Sequence, residues 1–285
     1  MSGAVAIVGL GAMGGGLARR AIGRGLTVHV LDADPARVAD AVAAGTEAAD
    51  DLPTLARSGA TVLLSLPSPE IAEEVATALL PHLSPGQIVA DLGTMTPTAC
   101  RRIAAAYSEA GARFIDVPVT GGPDGARAGT LRLFAAGDAA AVDEAAPLLS
   151  TFGEVVPCGG SGAGQATKLV NQMGMGLVNA VLLEALAYGR SAGLDPADLG
   201  RAVGGESGWR AEFAALARRV ADETARGVGI KHGQLAYVLG EADTVGQALP
   251  TTRAAFEFCE GREATIREAN RMSPSYWDAL LTADA

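Results

Sequence analysis

Lysine is almost missing from this chain. Two occur, Lys168 and Lys231, against twenty arginines in 285 residues. Arginine keeps its proton throughout the physiological range, whereas burial and neighbouring charge can tune a lysine amine until it exchanges one. The two survivors are therefore candidates for chemistry that arginine cannot do. Positive charge is scarce overall, with 22 basic against 32 acidic residues, a net charge of -10 and a pI near 4.8. This balance excludes nucleic acid as a partner, because phosphate binding needs a basic face. It leaves open a small anionic substrate, which responds to the local field. Cysteine is also sparse. Cys100, Cys158 and Cys259 are far apart and form no C-x-x-C pair, which predicts a reduced cytoplasmic protein. His29, His82 and His232 are scattered, with no ligand-spaced carboxylates beside them, so no metal site is expected. The most apolar helical stretch, 177–187, is short and carries Asn179 and Glu184, so no membrane span is expected. The N-terminus enters an apolar strand without a basic leader, so no signal peptide is expected either.

What is present is a soluble globular composition, 49% hydrophobic and 19% charged, in a chain long enough for two domains. Short apolar runs rich in branched residues predict strands at 5–8, 27–31, 61–66, 87–91 and 113–117. Stretches of helical period lie between them, such as 14–23 and 71–80. Alternation of this kind implies an α/β doubly wound parallel sheet. Two further short strands, 131–135 and 154–156, are expected to extend it. After the glycine-rich stretch 159–164 the pattern becomes all helical. The first helix is expected from Gln165 to Ala192, stopped by Gly193 and Pro196. The boundary therefore falls near residue 162, giving an α/β domain over 1–162 and an all-α domain over 163–285.

The first strand runs into Gly9-Leu10-Gly11-Ala12-Met13-Gly14 and then a helix. In this G-x-G-x-x-G, Gly9 allows a tight turn and Gly11 lets the backbone approach a pyrophosphate. Gly14 lets the helix pack on the strand, and the helix N-terminus then faces the phosphates. The second strand ends at Asp32, whose carboxylate can accept hydrogen bonds from adenosine ribose hydroxyls and would repel a 2′-phosphate. NAD is therefore the expected cofactor. NADP stays open, because Arg37 is close enough in sequence to reach a 2′-phosphate. Two more turns, around Leu66-Pro67-Ser68 and Gly93-Thr94-Met95-Thr96-Pro97, follow later strands at their carboxyl ends. Doubly wound sheets bind ligands there, which adds Leu66, Pro67 and Thr94 to the cofactor set.

Four segments, read in order, resemble the β-hydroxyacid dehydrogenases, the family that includes 3-hydroxyisobutyrate dehydrogenase and tartronate semialdehyde reductase. The first is the glycine fingerprint above. The second is Asp116-Val117-Pro118-Val119-Thr120-Gly121-Gly122 with Gly125-Ala126 and Gly129-Thr130-Leu131, similar to the family's substrate-binding signature. The third is Gly162-Ala163-Gly164-Gln165-Ala166-Thr167-Lys168-Leu169-Val170-Asn171, similar to its catalytic segment. The fourth is Lys231-His232-Gly233-Gln234-Leu235-Ala236, similar to its cofactor-proximal lysine motif. Both lysines of the chain fall inside these motifs.

The resemblance implies an N-terminal Rossmann domain, an all-helical C-terminal domain, and a homodimer or homotetramer formed through the helices. It also implies hydride transfer between NAD(P) and a small anionic β-hydroxy acid or its semialdehyde. Lys168 would be the general acid and base, since an alcohol being oxidised must lose a proton and a carbonyl being reduced must gain one. Thr120, Gly121 and Gly122 would hold the substrate carboxylate as a backbone nest holds an anion. Asn171 shares the Lys168 face of its helix and would orient substrate or amine. Lys231 would lie near nicotinamide and substrate. Three positions depart from the family pattern: Thr120 where serine is common, Gln172 where a second asparagine is frequent, and His232 where aspartate is usual. They suggest a substrate unlike those of the best-known members. Trp209 and Arg210 are candidates to close over the pocket. Two other classes compete. One is an imine reductase of the same architecture, which generally lacks a lysine at position 168. The other is a nucleotide-binding module without turnover, which would tolerate the loss of that lysine.

Overall fold

The computed structural model describes residues 3–58, 60–225, 232–260, 277 and 280. The chain divides into two compact units, 1–168 and 169–285.

The first unit is built on a nine-stranded sheet. Its strands are β1 (Ala4–Val8), β2 (Thr27–Leu31), β3 (Glu47–Ala48), β4 (Thr61–Leu64), β5 (Ile88–Asp91), β6 (Arg113–Asp116), β7 (Val119–Thr120), β8 (Leu131–Ala136) and β9 (Gly153–Gly159). The order is β3-β2-β1-β4-β5-β6-β8-β7, with β9 also paired to β8. Every pairing from β3 through β6 is parallel. The crossover helices are α1 (Ala12–Gly23), α2 (Pro35–Ala43), α3 (Leu52–Arg57), α4 (Pro69–Leu79) and α5 (Pro97–Glu109), followed by α6 (Gly122–Ala128) and α7 (Ala139–Leu149). The doubly wound α/β reading is borne out, with one addition. The expected extension by 131–135 turns back on itself: β8 is antiparallel to both β6 and β7, and only β9 runs parallel to β8.

Local chemistry explains the helix starts. Asp34, Asp51, Ser68, Thr96 and Asp138 each accept a backbone N–H of the first turn of their helix, and Pro35, Pro69 and Pro97 supply a fixed φ just inside it. Successive strand residues point to opposite faces, so each buried strand feeds two cores. Val5, Ile7, Leu63 and Ala90 pack with Leu17, Ala21 and Leu149 on one face. Ala6, Val8, Val62, Leu64 and Val89 pack with Leu55, Leu79, Ile103 and Tyr107 on the other. A fully buried Leu or Ile contributes about 1.5–3 kcal/mol, so these two layers hold the carboxyl ends of the strands rigid, where the candidate site lies.

The second unit contains helices and no strand among its described residues. α8 (Ala163–Ser191) starts in the first unit and runs on into the second, followed by α9 (Pro196–Val203), α10 (Gly208–Ala221), α11 (His232–Thr244) and α12 (Pro250–Glu260). Leu182, Leu183 and Leu186 of α8 pack with Phe213, Leu216 and Val220 of α10. At 29 residues α8 is close in length to the helix expected over 165–192 but far longer than the apolar stretch 177–187, and by length and composition alone it could cross a membrane. Its first turn is anchored on the sheet, as described next.

Candidate active site

The glycine turn sits between β1 and α1, and Asp32 ties it down. Asp32 Oδ2 accepts from Leu10 N at 2.5 Å and Oδ1 from Asp34 N at 2.8 Å. Arg37 Nη1 lies 3.8 Å from Asp32 Oδ2, while its Nε lies 3.3 Å from Asp34. A Cβ on Gly14 would fall 1.8 Å from Gly9 O, so the close approach of α1 to the turn requires glycine there. Gly11 has open space instead: a Cβ there would meet only Arg37 Nη1, at 4.0 Å. α1 has no side-chain cap at Gly11, which leaves its first N–H groups for a ligand. A groove of about 260 Å³ leads from this turn between α1 and α2, from Leu10, Gly11 and Arg37 to Ile22, Ala44 and Thr46. An uncapped helix start and an open glycine together fit a bound pyrophosphate. Met13 is half-buried in the first turn of α1. Leu66 and Pro67 follow β4, and Thr94 is exposed in the loop after β5, so each lies at the carboxyl end of a parallel strand.

The second cluster lies at the ends of β5 and β6. Asp91 and Asp116 are register partners on these neighbouring strands, and neither is exposed. Asp116 accepts from Gly162 N at 2.8 Å and from Gln165 N at 3.0 Å. It therefore caps α8. Burial raises its pKa, against the backbone N–H groups that favour the carboxylate. Asp91 accepts from Gly93 N at 3.1 Å and from Gln165 Nε2 at 3.3 Å. Burial pushes its pKa up to about 7; the Gly93 N–H opposes this and the nearby Asp116 adds to it. The helix can come this close because residue 164 is glycine. A Cβ there would fall 2.4 Å from Phe134 O and 2.8 Å from both Asp116 O and Asp116 Oδ2.

This docking delivers Lys168. One turn into α8, its Nζ donates to Val119 O at 2.8 Å. Burial lowers the amine's pKa from 10.5 to about 8. Val119 precedes Thr120, so the amine lies beside the turn that contains Thr120, Gly121 and Gly122. Thr120 is half-buried in β7, and the two glycines are exposed in left-handed backbone, with φ of 124° and 67°. Asn171 lies one turn further along α8, half-buried, with Nδ2 3.4 Å from Gln172 Oε1. Lys231 lies outside the described residues. Position 232 opens α11. Trp209 and Arg210 stack on each other, the guanidinium 4.7 Å from the ring centroid, and Trp209 is exposed.

Three residues of this arrangement were given no role of their own in the sequence reading: Asp91, Asp116 and Gln165. Each acid ends an apolar strand, as Asp32 does, at the edge where the sheet binds ligands. Asp116 and Gln165 also stand inside two of the segments that carry the family resemblance, but neither was singled out there.

A model of the NAD binding domain of 6-phosphogluconate dehydrogenase matches residues 4–160. A model described as the NAD-binding domain of NADP-dependent 3-hydroxyisobutyrate dehydrogenase matches residues 162–273. The chain belongs to the β-hydroxyacid dehydrogenase family. Among its relatives, 2-(hydroxymethyl)glutarate dehydrogenase of Eubacterium barkeri is 31% identical over 91% of this chain and 89% of its own. A 3-hydroxyisobutyrate dehydrogenase of Pseudomonas aeruginosa is 35% identical over 72% of this chain and 70% of its own. A solved structure of Mycobacterium tuberculosis 3-hydroxyisobutyrate dehydrogenase with L-serine covers all of both chains, with a TM-score of 0.86 and 24% identity, which speaks for the fold. As a β-hydroxyacid dehydrogenase, the chain is an NAD(P)-dependent oxidoreductase.

Proposed function

We propose that this dehydrogenase interconverts a small β-hydroxy acid and its semialdehyde, with NAD preferred and Lys168 as the general acid and base. The observation that carries the reading is the Lys168 amine, lowered toward neutrality by burial and held beside the Thr120 turn. The nicotinamide supplies or accepts the hydride when bound. Gly9, Leu10, Gly11, Ala12, Met13 and Gly14 would receive the pyrophosphate of the dinucleotide and Asp32 its adenosine ribose, and Leu66, Pro67 and Thr94 lie at the same edge of the sheet. Thr120, Gly121 and Gly122 hold the substrate carboxylate through a hydroxyl and backbone N–H groups. Asn171 and Lys231 complete the substrate set, and Lys231 also serves the cofactor. Lys168 takes the hydroxyl proton in oxidation and returns it to the carbonyl oxygen in reduction.

The proposal assigns 1–162 to the dinucleotide and 163–285 to substrate binding and oligomerisation. A run of exposed apolar side chains on α8, Val170, Met175, Val178, Val181 and Tyr188, supports a homodimer or homotetramer through the helical unit. Cytoplasmic residence, with neither membrane nor nucleic acid as partner, fits an acidic chain whose three cysteines stand as thiols. The lysine at 168 disfavours the imine reductase alternative.

A pH profile tests the reading. Oxidation needs the neutral amine, so its kcat/KM should rise with pH and level off above an inflection near 8. Reduction needs the ammonium, so its kcat/KM should fall through the same inflection. Profiles flat from pH 6.5 to 9.5 in both directions would remove Lys168 from proton transfer.

A further inference from the structure

The first turn of α8 is joined to the sheet by its backbone and, separately, by one side chain. The backbone contact is the cap, Gly162 N and Gln165 N on Asp116. The side-chain contact is Gln165, which is 1% exposed and reaches across to the β5 side. Its Nε2 donates to Gly93 O at 3.2 Å and to Asp91 Oδ2 at 3.3 Å. Its Oε1 is buried with no donor among the described residues, so the amide is held by its nitrogen alone. A buried amide left half satisfied costs stability. Capping does not need it, since the backbone N–H of residue 165 already serves Asp116.

We propose that Gln165 is a positioning residue for Lys168: by tying the first turn of α8 to Gly93 and Asp91, it fixes the helix so that the amine one turn later lies against the Val119 carbonyl. The claim rests on the proposed role of Lys168. The mechanics are simple. Residues 165 and 168 are three apart on one helix, so they lie on the same side and move together. The cap alone is a pivot, because its backbone donors all meet one carboxylate. The Gln165 amide adds a second anchor on the neighbouring strand and blocks rotation about the first. Without it, Lys168 Nζ loses its fixed distance to Val119 O and gains water. Burial is what lowers the amine's pKa, and no charged side chain among the described residues adds to the effect. Rehydration should therefore move the titration back toward that of a free lysine. The β5–α5 loop, which holds Thr94, is tied to the helix by the same amide.

The scarcity of lysine makes this directly measurable. With only two lysines in the chain, protein labelled with nitrogen-15 at lysine Nζ gives two side-chain signals, and Lys168→Arg identifies the one from Lys168. The wild type, Gln165→Leu and Gln165→Asn are titrated without substrate. Leucine keeps the bulk and removes the amide. Asparagine keeps the amide but is one methylene too short to reach Gly93 O and Asp91. The Lys168 midpoint is expected to rise by about one pH unit or more in both variants, and kcat for oxidation at pH 7 to fall at least about tenfold, since the neutral amine becomes about tenfold scarcer. The Asn variant carries the test should Gln165→Leu fail to fold. An unchanged midpoint in a folded variant overturns the proposal, including when only its melting temperature falls, because Gln165 is then structural only. Since the titration needs no turnover, it is separate from the dehydrogenase reading, which fails instead if Lys168→Ala keeps full activity.

Discussion

Lys168→Ala is expected to lose roughly a hundred- to ten-thousandfold in kcat in both directions, the range set by removing a positioned general acid and base. NADH should still bind within about twofold of the wild type, because the glycine turn and the Asp32 contacts to Leu10 and Asp34 are untouched. Lys168→Arg should fare no better than alanine. It restores a cation of similar reach but keeps its proton at every working pH. This pair of variants separates proton transfer from simple electrostatic attraction of the substrate. If arginine restored most of the activity, the amine would be an anchor for the carboxylate and the acid–base assignment would be wrong. Initial rates in both directions, with NADH affinity measured by fluorescence, decide the matter.

Gly164→Ala should destabilise the protein by about 3 kcal/mol or more, because the added methyl has nowhere to go. Its Cβ would lie 2.4 Å from Phe134 O and 2.8 Å from Asp116 O, both backbone atoms of paired strands. Strand backbone cannot retreat as a flexible side chain can. α8 must therefore lift, and the Asp116 cap and the Lys168 contact go with it. For a chain of this size the change corresponds to roughly 6–12 °C in melting temperature. Gly160→Ala is the control. A Cβ at Gly160 meets nothing within 4 Å, so its melting temperature should stay near that of the wild type. Equal melting temperatures for the two variants would mean that α8 does not sit as closely on β6 and β8 as described.

The parallel part of the fold was legible because buried strands declare themselves. Val5–Val8, Thr27–Leu31 and the later runs are apolar, branched and bounded by turn residues, and each strand appears within a few residues of its expected limits. β3 and β7 were missed because two paired residues carry no periodicity, and Glu47 and Ala48 are exposed besides. The direction of β8 was also invisible: an apolar run looks the same parallel or antiparallel, and only its return alongside β6 and β7 decides. α8 begins two residues before its expected start, for a physical reason. Gly162 and Gly164 read as breakers, yet Asp116 draws the N–H groups of residues 162 and 165 onto one carboxylate and starts the helix at Ala163. The acceptor is some forty-six residues away in the sequence, beyond any local pattern.

The site was legible in the same uneven way. Lysine scarcity and motif context singled out Lys168, and glycine spacing with a strand-ending acid singled out the dinucleotide turn. What the sequence could not show was how the lysine is held. Val119, whose side chain has no polar atom, contributes through its carbonyl. Gln165 stood inside the catalytic segment without a role of its own, and its contacts appear only when Asp91 and Gly93 are brought beside it.

The central claim, that this protein reduces the carbonyl of a small carboxylate-bearing substrate with a nicotinamide cofactor, is tested most directly by one panel of rates. NADH and NADPH oxidation would be followed with small semialdehyde acids, with the matching aldehydes that lack the carboxylate, and with cyclic imines. Turnover of the acids is expected, with NADH favoured over NADPH and rates lower by at least about a hundredfold for the neutral aldehydes, since each lost charge-assisted contact is worth about 1.5–3 kcal/mol. Turnover of the imines in preference to the acids, or equal rates with and without the carboxylate, would contradict it.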